Sequence, residues 1–209
     1  MLSNAIGAEF REVADRVWRG EPAKAVVAAR VYPTTPDDLW DAITNPQRIV
    51  RWFAPVTGDL KLGGRYQIEG NAGGRIERCD PPSALDISWE FAGAVSWVTL
   101  RLAPEGHGAR LVLEHVMLAR DMESDHWKQF GPGAVGVGWD LGFLGLQRHI
   151  ETGGGEPPEK DPAWMVGEDA KAFMRGSAEA WAEAHIASGE AAETARRMAQ
   201  ATAAFYTGS

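Results

Sequence analysis

The chain has 209 residues, 44% hydrophobic and 24% charged, with 21 Lys and Arg against 29 Asp and Glu, for a formal net charge of -8. This is a globular composition with room for one domain of about 130 to 150 residues plus appendages. A negative field without any Lys/Arg run argues against nucleic acid and anionic membrane surfaces as partners. Glu9, Arg11, Glu12, Asp15 and Arg16 interrupt the start of the chain, leaving no apolar run for a signal peptide or membrane span. The single Cys79 cannot form an internal disulfide and fits a reducing compartment, so a cytoplasmic location is expected.

In chain order, Ile6, Phe10, Val13 and Val17 recur at helical spacing ahead of Arg19-Gly20, which predicts an N-terminal amphipathic helix within residues 1–22. The run AVVAARVY, residues 25–32, is rich enough in β-branched residues to predict a strand ending at Pro33. Thr35-Pro36-Asp37-Asp38 and Asn45-Pro46 each supply a capping side chain followed by proline at the first helical position, predicting two short helices. From 58 to 118, segments broken by glycine and proline predict an antiparallel meander of six strands; in one of them Leu85, Ile87, Trp89 and Phe91 alternate with polar residues. Residues 119–138 read as a long functional loop. In GWDLGFLGLQRHI, Trp139, Phe143, Leu146 and Ile150 share one face of a helix flanked by Gly142, Gly145 and His149. Two glycines on one flank imply that a backbone or a ligand comes very close there. Gly153 to Pro158 reads as a flexible joint, and the alanine-rich remainder as helices broken at Gly189.

The order of strand, two short helices, six-stranded meander and long helix resembles the SRPBCC or START-like superfamily. Within it the chain is similar to the Hsp90-ATPase-activator-homologue type. The residues carrying the resemblance are Thr35 to Pro46 (TPDDLWDAITNP), Arg51-Trp52-Phe53, Gly63-Gly64-Arg65-Tyr66 and Gly138-Trp139. The resemblance covers about residues 24–152 and implies an α+β helix-grip fold, a curved antiparallel sheet gripping the long helix with a cavity between them. It leaves function open, because that superfamily includes lipid carriers, polyketide cyclases and aromatases, hormone receptors, co-chaperone domains and antibiotic-sequestering proteins. The expected organisation is an N-terminal helix (1–22), a helix-grip domain (23–152), a Gly/Pro linker (153–160) and an alanine-rich helical extension (161–209). The extension is expected to cover an apolar face or to form a homodimer seam.

Gly131-Pro132-Gly133-Ala134-Val135-Gly136 spells G-x-G-x-x-G, but no strand follows the next helix, so a mobile rim loop is the better reading than a dinucleotide site. His115, Asp121, Glu123, Asp125 and His126 follow no metal-ligand spacing, and neither a nucleophile motif nor a base partner for Cys79 is present. No metal, cofactor or covalent chemistry is therefore expected. Nine tryptophans suit flat apolar ligands when they surround one cavity. The expected function is non-enzymatic binding of a small hydrophobic or aromatic molecule by Trp52, Phe53, Trp89, Trp97, Trp127, Trp139, Phe143 and Leu146, with His115 or His149 as polar anchor. The alternatives are a cyclase or aromatase using those histidines as acid and base, an Hsp90-activator-like co-chaperone, and a drug-sequestering self-resistance protein.

Overall fold

The computed structural model describes residues 6–208. Eight strands, β1 (Phe10–Trp18), β2 (Glu21–Tyr32), β3 (Val56–Gly58), β4 (Arg65–Ile68), β5 (Gly73–Asp80), β6 (Ala84–Phe91), β7 (Ala94–Glu105) and β8 (Gly108–Leu118), form one curved antiparallel sheet in the order β1-β2-β8-β7-β6-β5-β4-β3. The helices are α1 (Pro36–Thr44), α2 (Pro46–Trp52), α3 (Asp125–Phe130), α4 (Gly133–Glu151), α5 (Pro162–Met165), α6 (Glu168–Ala187) and α7 (Ala192–Thr207). By internal contact the chain divides into two compact units. One comprises the chain up to Ala28, Val116–Leu144 and Asp161 onward; the other comprises Ala29–His115 and Gly145–Lys160.

The N-terminal prediction requires correction: Phe10–Trp18 is a strand rather than a helix, and residues 1–5 of that expectation lie outside the described residues. Arg19 and Gly20 have φ of 52° and 85°, so the pair is a two-residue hairpin turn between β1 and β2 rather than a helix stop. Such turns need positive φ at both positions and match the twist of the strands they join. Val13 and Val17 accept strand geometry readily, and pairing with β2 overrides a periodicity that four apolar residues specify only weakly.

In the first unit, Leu144 and Phe173 are buried together and Ile6, Leu141 and Trp164 pack around them. The predicted loop 119–138 is mostly helical, with a 3-10 turn at Ala119–Glu123, then α3, then the start of α4. Ser124 caps α3, its hydroxyl accepting from the Trp127 amide at 3.3 Å, a start signal the charged surroundings hid. The G-x-G-x-x-G letters are explained by packing. Gly131 ends α3 at φ 59° with a Met198 sulfur 2.8 Å from where a Cβ would stand, and a Cβ on Gly136 would lie 2.4 Å from the Trp181 ring. The anchor of the extension is Asp140, fully buried on α4. Its Oδ2 accepts from Arg11 Nε at 2.9 Å, Ser177 Oγ at 2.6 Å and Trp181 Nε1 at 3.2 Å. Arg11, on β1, also donates to the buried Glu9 carboxylate at 2.8 Å.

In the second unit the caps act as predicted. Thr35 Oγ accepts from the Asp38 amide at 3.3 Å, and Asn45 Oδ1 from the Gln47 amide at 3.0 Å. Trp52 Nε1 donates to the Ala42 carbonyl at 3.0 Å, which fixes α2 against α1. The predicted flexible joint is instead tied down, because its carbonyls and charges find partners. Gly154 O accepts from Arg51 at 3.0 Å, and Lys160 Nζ donates to the carbonyls of Val50 and Phe53 at 2.8 and 2.9 Å.

Candidate ligand-binding face

Register decides which side chains share a face of the sheet. Directly opposed residues point the same way, and the direction reverses at each step along a strand. Across β6 and β7, Leu85 opposes Leu100, Ile87 opposes Val98 and Trp89 opposes Ser96; on β5, Ile76 opposes Ile87 and Cys79 opposes Leu85. This face carries no charge in β5, β6 or β7 at these positions. Tyr66, Ile68 and Ile76 are its buried floor, and Phe53, Val56, Leu85, Ile87 and Trp89 pack on them while remaining partly accessible. Tyr66 Oη donates to the Ser88 carbonyl at 2.7 Å, and burial raises its pKa well above the usual phenol value, so it stays a neutral donor.

The polar feature of the face lies one strand further on. His115, on β8, is only 3% exposed; its Nε2 lies 2.8 Å from Ser96 Oγ, and its ring meets Trp89 edge-on with centroids 5.8 Å apart. Trp89, Ser96 and His115 thus form a row across three neighbouring strands. Burial lowers the His115 pKa to about 4, so the imidazole is uncharged at neutral pH.

His149 lies elsewhere in the same unit and is spoken for. Fully buried near the end of α4, it has Nδ1 2.8 Å from the Gly155 carbonyl and Nε2 3.3 Å from Arg48 Nε. Since the carbonyl can only accept and the guanidinium only donate, Nδ1 donates to Gly155 and Nε2 accepts from Arg48. Arg48 also donates to Asp38 at 2.7 Å and Asp41 at 3.0 Å. Partial burial pushes the Asp38 carboxyl up, but hydrogen bonds from Thr34 and Arg48 outweigh it and hold the pKa below its ordinary value. The cluster staples α1, α2 and the end of α4 together.

The remaining predicted site residues distribute as follows. Phe53 and Trp89 belong to the apolar cluster, and Trp52 meets Phe53 at 5.6 Å between ring centroids. Trp97 opposes Ser88, so it projects from the face opposite Trp89. Leu146 is buried. In the other unit, Phe143 is buried, Trp139 is half-buried, and Trp127 sets its edge against His185 at 6.0 Å. The two helix glycines diverge. A Cβ on Gly145 would lie 2.7 Å from the Trp52 carbonyl, whereas one on Gly142, itself buried, would meet nothing within 4 Å. Close approach therefore explains Gly145, whereas among the described residues nothing approaches Gly142. Sequence reasoning missed Ser96, for which no signal existed, and Asp140, which was marked as the sole charge in the apolar stretch from Gly133 to Leu146.

A groove of about 760 Å3 between α6 and α7 has no aromatic lining, only small residues such as Gly176, Ala180 and Ala203 with Arg175, Glu179 and Arg196. Among the described residues, no group of three or more His, Cys, Asp or Glu could hold a metal ion, and no helix is long and apolar enough to cross a membrane.

Sheet, long helix and apolar face together define an α+β protein of the helix-grip class. Residues 33–149 match the family model described as Activator of Hsp90 ATPase homolog 1-like protein, and the chain belongs to that family. CalU16 from Micromonospora echinospora is similar over nearly its whole length. Its crystal structure is 32% identical, covering 85% of this chain and 98% of CalU16 with a TM-score of 0.68. Its solution structure gives 33%, 87%, 97% and 0.70. The HSP90 activator PFC0360w from Plasmodium falciparum shares the fold at 21% identity, covering 62% of this chain and 96% of its own, with a TM-score of 0.51. No curated protein matches the sequence.

Proposed function

We propose that this protein binds a small apolar or aromatic molecule against the sheet face carrying Phe53, Ile87 and Trp89, and does not turn it over. The observation that carries this reading is a contiguous set of partly accessible apolar side chains ending at a buried, uncharged imidazole. Apolar surface left accessible beside a few fixed polar groups is the usual make-up of a small-molecule site. Binding is favoured over acid-base catalysis because a histidine with a pKa near 4 is a weak base at neutral pH, and both nitrogens of His149 are engaged within the protein.

The test is titration of the purified protein with a panel of neutral aromatic compounds, followed by tryptophan fluorescence, with native mass spectrometry to detect whatever copurifies. Removing the Trp89 ring should weaken binding about tenfold or more, given roughly 1.5–3 kcal/mol for a buried large side chain. Silence across the panel, or equal binding by the Trp89→Ala variant, refutes the reading. Turnover that disappears with His115 would move the assignment to a cyclase or aromatase.

A further inference from the structure

We propose that Ser96 is the polar contact for the bound molecule, that His115 is a positioning residue holding its hydroxyl from behind, and that the ligand is a neutral aromatic bearing a hydrogen-bond donor such as a phenolic hydroxyl. The inference rests on the binding reading above and assigns the chemistry of its polar end. His115 is too deeply buried to be the contact itself, whereas Ser96 is half-buried and sits directly opposite the accessible Trp89.

The proton count at Ser96 sets the ligand class. Its hydroxyl has one proton and two acceptor lone pairs, and its neighbours are His115 Nε2 at 2.8 Å and the Trp89 carbonyl at 3.3 Å. If the proton goes to Nε2, both lone pairs remain to accept. If it goes to the Trp89 carbonyl, Nε2–H donates to Oγ and one lone pair remains. In either arrangement Oγ can accept a hydrogen bond, and its proton reaches a ligand only if the bond to Nε2 or the 3.3 Å bond to the Trp89 carbonyl is given up. A ligand O–H is accepted with both bonds kept; a carboxylate would require breaking one.

Charge gives the same answer. The opposed pairs forming this face of β5 to β7 contain no lysine or arginine, while Arg65 and Glu90 pair with each other at 2.7 Å on strands where Glu90 opposes Val95, on the other face. An anion placed beside Ser96 would therefore lose its water without gaining a cation from these three strands, which is costly. A neutral phenol loses much less and regains one hydrogen bond.

The experiment uses the full chain at pH 7 with three matched probes, naphthalene, 2-naphthol and 2-naphthoate, titrated calorimetrically into wild type and the Ser96→Ala, Ser96→Thr and His115→Phe variants. Wild type should bind 2-naphthol several-fold to roughly tenfold tighter than naphthalene, the range of one net hydrogen bond, and 2-naphthoate more weakly than either. Ser96→Ala should bring the naphthol-to-naphthalene ratio to about one, Ser96→Thr should restore it, and His115→Phe should reduce it. Naphthalene affinity in each variant reports that the apolar face is intact, so a folding defect, which lowers both affinities, is not mistaken for loss of the contact. The imidazole 15N shifts of His115 should move on adding 2-naphthol and not on adding naphthalene. If none of the probes binds wild type, the binding reading falls and this one with it. If naphthol and naphthalene bind wild type alike, or the ratio survives Ser96→Ala, binding stands and the role of Ser96 is overturned. Binding of 2-naphthoate as tight as that of 2-naphthol overturns the neutral ligand class.

Discussion

Asp140 in one unit and His115 in the other are both buried polar side chains, and they meet burial in opposite ways. Asp140 gathers three donors from β1 and α6 on a single oxygen, while its Oδ1 has no hydrogen-bond partner among the described residues. His115 lies against the Ser96 hydroxyl and gives up its charge. A buried ion must recruit its surroundings, because an unpaired charge away from water is very costly, so it fixes the elements around it. A buried neutral group makes smaller demands and can stand beside side chains that remain accessible. The first arrangement builds an anchor; the second leaves accessible apolar surface beside it, which is what the proposed binding uses.

Cutting the anchor should produce the largest effect. Asp140→Ala leaves the Arg11 guanidinium buried with only part of its partnership, and breaking buried pairs costs about 3–5 kcal/mol. Urea unfolding should register that loss, and a change below about 1 kcal/mol would show that the cluster is no anchor.

The next effect is a pH dependence. The His115 pKa is lowered from 6.5 to about 4, so between these values the unfolded chain takes up a proton that the folded chain refuses. Stability from this group is therefore complete above pH 6.5 and falls as the pH drops toward 4, by about 3 kcal/mol in all. Comparing wild type with His115→Phe in denaturant melts from pH 7 to 4.5 isolates the contribution; parallel pH profiles would contradict it.

Gly145→Ala comes third, since its Cβ would stand 2.7 Å from the Trp52 carbonyl, and overpacking of this kind costs about 1–3 kcal/mol. Gly142→Ala is the smallest and opposite in sign: with nothing within 4 Å, it should gain about 1 kcal/mol from helix propensity. Thermal melts of the pair separate them, and equal effects would mean that the two glycines have the same surroundings.

Local signals carried much of the architecture. Thr35-Pro36 and Asn45-Pro46 announce α1 and α2 because capping and proline geometry need only neighbours in sequence. Glycine turns and alternation announced the meander in the same way. The N-terminal strand was misread because Arg19-Gly20 ends a helix or turns a hairpin equally well, and only the presence of β2 alongside chooses. Trp89 and His115 were legible as candidates from residue type and strand position, but their distinction from Trp97 and His149 was not. A strand shows which residues alternate without showing which set faces the apolar cluster, and a histidine does not disclose its partners.

The sequence by itself determined the α+β class, the helix caps and the strand meander, since these follow from short-range geometry and periodicity. Only the tertiary structure decided that Asp140 is an anchor, that His149 is a staple and that Ser96 stands in front of His115. Their partners lie 37 and 41 residues away for Asp140 with Ser177 and Trp181, 101 for His149 with Arg48, and 19 for His115 with Ser96. Interactions at such separations are fixed by strand register and helix packing, which no local pattern encodes.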